Sequence, residues 1–185
     1  MQTKAEATVE DLYNAPDDGN YEIVDGRLIY MPPMGDDPNH AAAEVFASLR
    51  EYVRKTGKGR ARTDGVAYIV DLPNRKSFSP DASYSLHFRP RNMRFVEGAP
   101  LFAVEVRSEG DYGRASDRAY ARKRSDYFAA GTRIVWDIDP IAKTVTSYRD
   151  DAPDEPVIFR SGDIAHAEPI LPGWSIAVDD LFSDE

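Results

Sequence analysis

The chain contains no cysteine and only three histidines. The first absence excludes disulfides, thiolate nucleophiles and zinc–sulfur centres, and it fits a reducing compartment. The second leaves few nitrogen ligands, so a metal centre here would be a hard oxygen site. No stretch approaches the roughly 18–20 apolar residues of a membrane span. The opening run Met1-Gln2-Thr3-Lys4-Ala5-Glu6 also lacks the apolar segment of a signal peptide. A cytoplasmic protein without membrane association is the expectation. Positive charge is scarce as well: 23 Lys and Arg stand against 32 Asp and Glu, a net charge of −9. That argues against a general nucleic-acid coat, whose binding is driven by Lys and Arg.

What is present reads as one domain over 1–185, since 185 residues with 42% hydrophobic content can bury a real core. The charge is uneven. Residues 86–124 carry nine Lys/Arg (Arg89, Arg91, Arg94, Arg107, Arg114, Arg118, Arg122, Lys123, Arg124) against five acids, a net of +4. Residues 50–62 add Arg50, Arg54, Lys55, Lys58, Arg60 and Arg62 against Glu51. Such segments form either a local basic face on an acidic protein or ordinary solvated surface.

Local signals set the order of elements. Thr8 with Asp11 predicts a capped helix near 8–15. Asp25-Gly26 between Tyr21-Glu22-Ile23-Val24 and Arg27-Leu28-Ile29-Tyr30-Met31 predicts an N-terminal hairpin. Ala42, Val45, Phe46, Leu49, Tyr52 and Val53 follow the 3.6 period of a helix over 39–56, with Asn39 as its cap and Gly57 and Gly59 ending it. Strands are expected at 65–72, 80–86 and 100–107, a long helix at 114–130, and further strands at 133–139 and 144–148. Short edge strands and turns should fill the tail near 157–159 and 170–176. The fold class is α/β (α+β), a mixed central β-sheet flanked by helices, with a parallel crossover across 100–139.

Two acids sit where acids are costly. Glu105 interrupts the buried-looking strand Leu101-Phe102-Ala103-Val104-Glu105-Val106, and Asp81 follows Pro80 at the start of another extended run. Buried acids are rarely kept without a metal, a cation or a proton. Alternation puts Ala103, Glu105 and Arg107 on one face of the strand and Phe102, Val104 and Val106 on the other. A strand-edge Glu–Arg pair is the plainer account. On the next helix Tyr120, Lys123, Tyr127 and Ala130 form a stripe that should face the sheet, while Arg118, Arg122 and Asp126 can point outward. Lys123 either snorkels from that stripe or reaches the carboxylates. Glu22 shares a hairpin face with Val24 and could be an exposed strand residue. His40 opens the second helix as a cap, a surface residue or a ligand. Asp81, Glu105 and Lys123 together suit magnesium-dependent phosphodiester hydrolysis, in which two carboxylates and a carbonyl hold the ion and a lysine steadies the charge that builds on phosphate.

These residues resemble the PD-(D/E)XK nuclease superfamily and, more narrowly, the Uma-two family of restriction endonucleases. The likeness covers about 8–182. It rests on Tyr21-Glu22-Ile23-Val24-Asp25-Gly26, Pro32-Pro33 with His40 downstream, Pro80-Asp81, and Val104-Glu105-Val106-Arg107-Ser108. It continues through Lys123 with Tyr127 and Gly131, Val135-Trp136-Asp137-Ile138-Asp139-Pro140, and the final Leu171-Pro172-Gly173-Trp174 with Leu181-Phe182. The resemblance implies a restriction-endonuclease-like fold with a four- or five-stranded mixed sheet. It implies Mg²⁺ (Mn²⁺ substituting) held by Asp81, Glu105 and the Val106 carbonyl, with Glu22 close to the metal and Lys123 as a lysine moved from the strand to the following helix. It implies DNA as the partner. A homodimer would supply the two sites that cutting both strands requires, an argument from the task and not from residues. One departure stands out: the superfamily pattern puts lysine two residues after Glu105, where this chain has Arg107. Either Lys123 takes the role, or Arg107 supplies electrostatics alone, or activity is lost. A catalytically silent binding or assembly module, or a small phosphate-ester hydrolase, are the competing readings.

Overall fold

The computed structural model describes residues 6–16, 19–86 and 93–183. Arg89 and Arg91 of the basic segment lie outside them, as do the first five residues of the N-terminal run. Helix α1 (Val9–Tyr13) starts where expected. The Thr8 hydroxyl accepts from the Asp11 N–H at 3.3 Å, and the Thr8 N–H donates to Asp11 Oδ2 at 2.7 Å, a reciprocal capping box. Strands β1 (Asn20–Val24) and β2 (Arg27–Met31) form the predicted hairpin. Asp25 and Gly26 take φ of +48° and +67°, as a two-residue primed turn requires. Helix α2 (Asp36–Thr56) begins ahead of Asn39. Gly35 is its N-cap in extended backbone, and Pro38 sits in the first turn, where a missing N–H loses nothing. Asn39 therefore lies inside the helix and does not cap it.

Strands β3 (Arg60–Thr63), β4 (Tyr68–Ile69), β5 (Ser77–Phe78), β6 (Ala82–Ser85), β7 (Val96–Glu97) and β8 (Phe102–Val106) precede helix α3 (Arg114–Ala129). Strands β9 (Ile134–Asp139), β10 (Thr144–Arg149), β11 (Ala152–Phe159), β12 (Ile164–His166) and β13 (Ser175–Ala177) follow it. The central sheet is mixed and has six strands in the order β11-β10-β9-β8-β6-β3, more than the four or five implied. The crossover is parallel, as expected: β8 pairs β9 through α3. One expected strand is misplaced. Of 65–72 only Tyr68–Ile69 is strand, and it belongs to a separate three-stranded sheet, β5-β4-β7. The apolar residues Val66, Val70 and Leu72 pack over Tyr68, Phe78, Ala103, Tyr127 and Val135 as a second layer. The central sheet instead takes the polar segment Arg60–Thr63 as its edge strand, pairing with β6.

The sheet divides two unlike environments. Phe102, Val104 and Val106 enter the larger core with Trp136, Ile138, Trp174 and the α2 residues Ala41, Ala42, Val45 and Leu49. Ala103 and Glu105 turn the other way, toward α3 and the small sheet. Every residue of β8 is buried, as befits a strand covered on both faces. Among the described residues no helix is long and apolar enough to cross a membrane.

Candidate active site

Four elements deliver side chains to one point on the α3 face of the sheet. Glu105 comes from β8, Lys123 and Tyr127 from α3, Glu22 from β1, and Asp81 from the turn ahead of β6. The Lys123 Nζ donates to Glu105 Oε2 at 2.7 Å and lies 2.9 Å from Glu22 Oε1. The other Glu105 oxygen accepts from the Tyr127 hydroxyl at 2.6 Å. Asp81 is held beside them by backbone: its Oδ2 accepts from the Val106 N–H at 2.6 Å, and its own N–H donates to the Val104 carbonyl at 3.0 Å. Lys123 thus reaches the carboxylates and does not snorkel away.

Glu22 is buried at 3% exposure, not a solvent-facing strand residue. It accepts from the Ser79 N–H at 2.9 Å and from Arg75, which the sequence reading passed over. Arg75 is also buried; its Nε donates to Asp126 Oδ2 at 2.9 Å, and Asn74 donates to Asp126 Oδ1 at 2.9 Å. Asp126, which the helix pattern leaves free to point outward, turns inward instead. It lies three residues after Lys123, a spacing that puts both on one helix face and could have flagged it. Arg75 carried no such signal: it sits in the turn Pro73-Asn74-Arg75-Lys76, and both carboxylates it binds are more than fifty positions away.

The result is an alternating string of charge, Asp126, Arg75, Glu22, Lys123, Glu105, with Asp81 beside its end. Four carboxylates face two cations, and among the described residues Asp81 forms no ion pair. Burial, then the negative charge of Glu105, push the Asp81 proton affinity well above the usual carboxylate range. Burial also raises Glu105, although Lys123 opposes it. Burial would raise Glu22 too, but Lys123, Arg75 and the Ser79 N–H outweigh it and hold Glu22 low. For Lys123, burial favours the neutral amine, yet Glu105 and Glu22 prevail and its affinity for the proton rises. The ammonium is therefore a fixed charge at neutral pH and not a base.

Arg107 belongs to a different cluster. Its guanidinium forks onto Asp137, Nε to Oδ1 at 3.1 Å and Nη2 to Oδ2 at 3.0 Å, while Nη1 meets Asp117 at 2.9 Å. It pairs with these and not with Glu105, the partner that a strand-edge pair would have required. Arg124 lies 3.6 Å from Asp137 and over the Tyr148 ring at 3.8 Å. A void of about 10 Å³, the size of one water, separates the two clusters and is lined by Glu105, Tyr120, Lys123, Arg124, Tyr127 and Asp137 among others. His40 is not brought to either. It lines an open cleft of about 470 Å³ with Asp36, Asp37, Pro140, Lys143 and Phe182, and its buried Nε2 has no partner among the described residues.

Several of the cations counted toward a possible basic face are engaged within the chain, while Arg50, Arg54, Lys58, Arg114 and Arg118 are exposed. Arg122 pairs with Asp25 at 2.7 Å, Lys55 with Glu51 at 2.8 Å, and Arg62 turns inward to the Tyr68 and Ser85 hydroxyls, both at 3.3 Å.

A family model described as "Putative restriction endonuclease", Uma2, matches residues 7–179. The chain belongs to the Uma2 family. Uma2 membership agrees with the shape: a crystal structure from Anabaena variabilis ATCC 29413, titled a putative nuclease belonging to DUF820, superposes with a TM-score of 0.75. That likeness spans 95% of this chain and 97% of the other at 20% identity, and it shows a shared fold. No curated protein matches this Uma2 chain.

Among the described residues no group of three or more His, Asp or Glu is arranged to hold a metal ion. The charge of the cluster nonetheless fits one. With all four carboxylates ionised the string as a whole carries a net charge of −2, and Asp81 is its one carboxylate without an ion pair among the described residues. The oxygens of Asp81 and Glu105 are hard donors suited to a small divalent cation, whose charge would favour their ionised forms.

Proposed function

We propose that this Uma2 protein is a Mg²⁺-dependent DNA endonuclease, Mn²⁺ serving in place of Mg²⁺. The observation that carries the reading is Asp81, a carboxylate with no ion pair among the described residues, set beside Glu105 and its protonated lysine, so that two hard oxygen donors converge. The family description, a restriction endonuclease, supplies the substrate class. Asp81, Glu105 and the Val106 carbonyl would hold the ion, with waters completing its shell. When bound, it would lower the pKa of a water and polarise the phosphate.

The chain's own residues do the remainder. The Val106 N–H fixes the Asp81 carboxylate, and Tyr127 fixes Glu105, so both donors are preorganised before any ion arrives. Lys123 presents an ammonium that can meet the charge developing on a non-bridging phosphate oxygen. Glu22 restrains Lys123 from the far side. Arg107, engaged by Asp137 and Asp117, braces β8 against β9 and α3 and takes no part in the chemistry. Cleavage of supercoiled plasmid in Mg²⁺, compared with Asp81→Ala, tests the reading: loss of cutting in the variant supports it, and equal rates overturn it.

A second reading is favoured by the arginine at the superfamily's lysine position and by the net charge of −9. In it the fold is a silent binding or assembly module. Calorimetric titration with Mg²⁺ separates the two, because a module need not bind the ion at millimolar concentration.

A further inference from the structure

Arg75 is the one cation in the charge string that touches neither Glu105 nor Asp81. It is 6% exposed and lies in the turn between β4 and β5. Backbone locks that turn to the hairpin: the Lys76 N–H donates to the Ile23 carbonyl at 2.9 Å and the Asp25 N–H to the Asn74 carbonyl at 2.8 Å. The guanidinium lies over the Phe78 ring at 4.9 Å, and Phe78 stacks on Tyr127 at 3.9 Å. Its place is thus fixed by the hairpin, by α3 and by the aromatic layer under Glu105.

Its charge, however, is divided. Asp126 takes Nε and Glu22 takes Nη1. Glu22 in turn divides its charge between Arg75 and Lys123, and Lys123 divides its own between Glu22 and Glu105. Each division constrains the next. The more firmly Arg75 holds Glu22, the less Glu22 draws on Lys123, and the more Lys123 neutralises Glu105.

We propose that Arg75 is a positioning residue, and that the Asp126–Arg75–Glu22 relay sets how much negative charge Glu105 presents to a divalent cation. The inference rests on the metal site assigned above. It makes a prediction of opposite sign for two changes in the same buried pair. Asp126→Asn leaves Arg75 wholly to Glu22, releases Lys123 toward Glu105 and weakens Mn²⁺ binding. Arg75→Met leaves Glu22 to Lys123 alone, draws Lys123 from Glu105 and strengthens Mn²⁺ binding. Changes to residues that hold a ligand-bearing network typically alter metal affinity about 10-fold or more. A purely structural role would lower affinity in both variants.

The test is Mn²⁺ titration by calorimetry on the full chain, with thermal melts to show that each variant is folded. Lys76→Met is the control, since Lys76 is the neighbouring cation but is half-buried and pairs with the exposed Asp71, outside the string. The expected result is Asp126→Asn weaker by about 10-fold, Arg75→Met tighter by a similar factor, and Lys76→Met unchanged. Should Arg75→Met fail to fold, Asp126→Asn and Arg75→Lys decide. Arg75→Lys keeps the charge but loses the two-pronged grip and should bind Mn²⁺ more tightly than wild type. Affinities that fall in every variant, that do not move, or that rise equally in Lys76→Met overturn the relay. Wild-type protein that binds no Mn²⁺ overturns the metal site itself, and the relay with it.

Discussion

The Lys123 and Arg107 clusters lie side by side on one face of the sheet, Glu105 directly opposite Asp137 in the β8–β9 register. Both pair a cation with carboxylates from distant elements, and in both the central cation is largely buried. They differ in balance. Around Arg107 two arginines, Arg107 and Arg124, meet two aspartates, Asp137 and Asp117, and the fork geometry uses the charge fully. Around Lys123 two cations face four carboxylates. Burial and ion pairing alone do not separate scaffold from candidate site here. The surplus of charge does, because a closed pair has nothing left to offer a ligand.

That contrast can be broken in four ways. The largest effect should come from Lys123→Met, which is expected to reduce Mg²⁺-dependent plasmid cleavage by about 10²–10³-fold, the scale of losing one preorganised transition-state contact. Arg107→Lys, assayed the same way, should retain cleavage within a few-fold. If it matches Lys123→Met instead, the two cations are not distinct in role. Next, Arg107→Met should lower unfolding free energy by about 1–3 kcal/mol in urea melts, because it removes the forked partner of the buried Asp137 carboxylate and leaves it only Arg124 at 3.6 Å.

The third effect reverses the usual direction. Asp81 binds its proton more tightly folded than unfolded. Its stabilising contribution is therefore full below the unfolded carboxyl pKa of about 3.9 and is lost as pH rises through the folded value. Asp81→Asn should consequently raise Tm by about 2–4 °C at pH 7 in chelator, a gain of around 1 kcal/mol in a chain this long. The gain should shrink as pH falls toward 4, and added Mg²⁺ should favour the wild type. A variant that melts lower than wild type at pH 7 would show that Asp81 is a structural acid like Asp137. The smallest effect belongs to the exposed Arg122–Asp25 pair, where Arg122→Ala should leave the same melts essentially unchanged.

Much of this is legible in the sequence. The Asp25-Gly26 hairpin, the capped first helix, the parallel crossover and the opposite faces of β8 all follow from local chemistry: a turn that needs positive φ, a reciprocal cap, and alternation along a strand. The meeting of Glu105 with Lys123 is one of two outcomes that the sheet-facing stripe allows, a snorkelling lysine being the other. What escaped depends on remote partners. Arg60–Thr63 is too polar to read as strand, and becomes one because β6 offers it a ladder. Val66–Leu72 reads as a sheet strand by composition, yet its apolar residues are used to roof Tyr127 and Ala103. Arg75 looked like any loop cation because Glu22 and Asp126 approach it from either side of the sequence.

The alternating string also has a consequence for how the chain is made. Its members are spread from residue 22 to residue 126, and the two that hold Glu22 and Glu105 in place, Arg75 and Lys123, arrive in that order. As synthesis proceeds from the N-terminus, β8 emerges with Glu105 bare, and the strand gains a counter-charge only once α3 has followed it. Until then the central strand is costly to bury and the carboxylates have no common geometry. A cell making this protein would therefore hold no assembled charge string on chains that have not yet extended past α3.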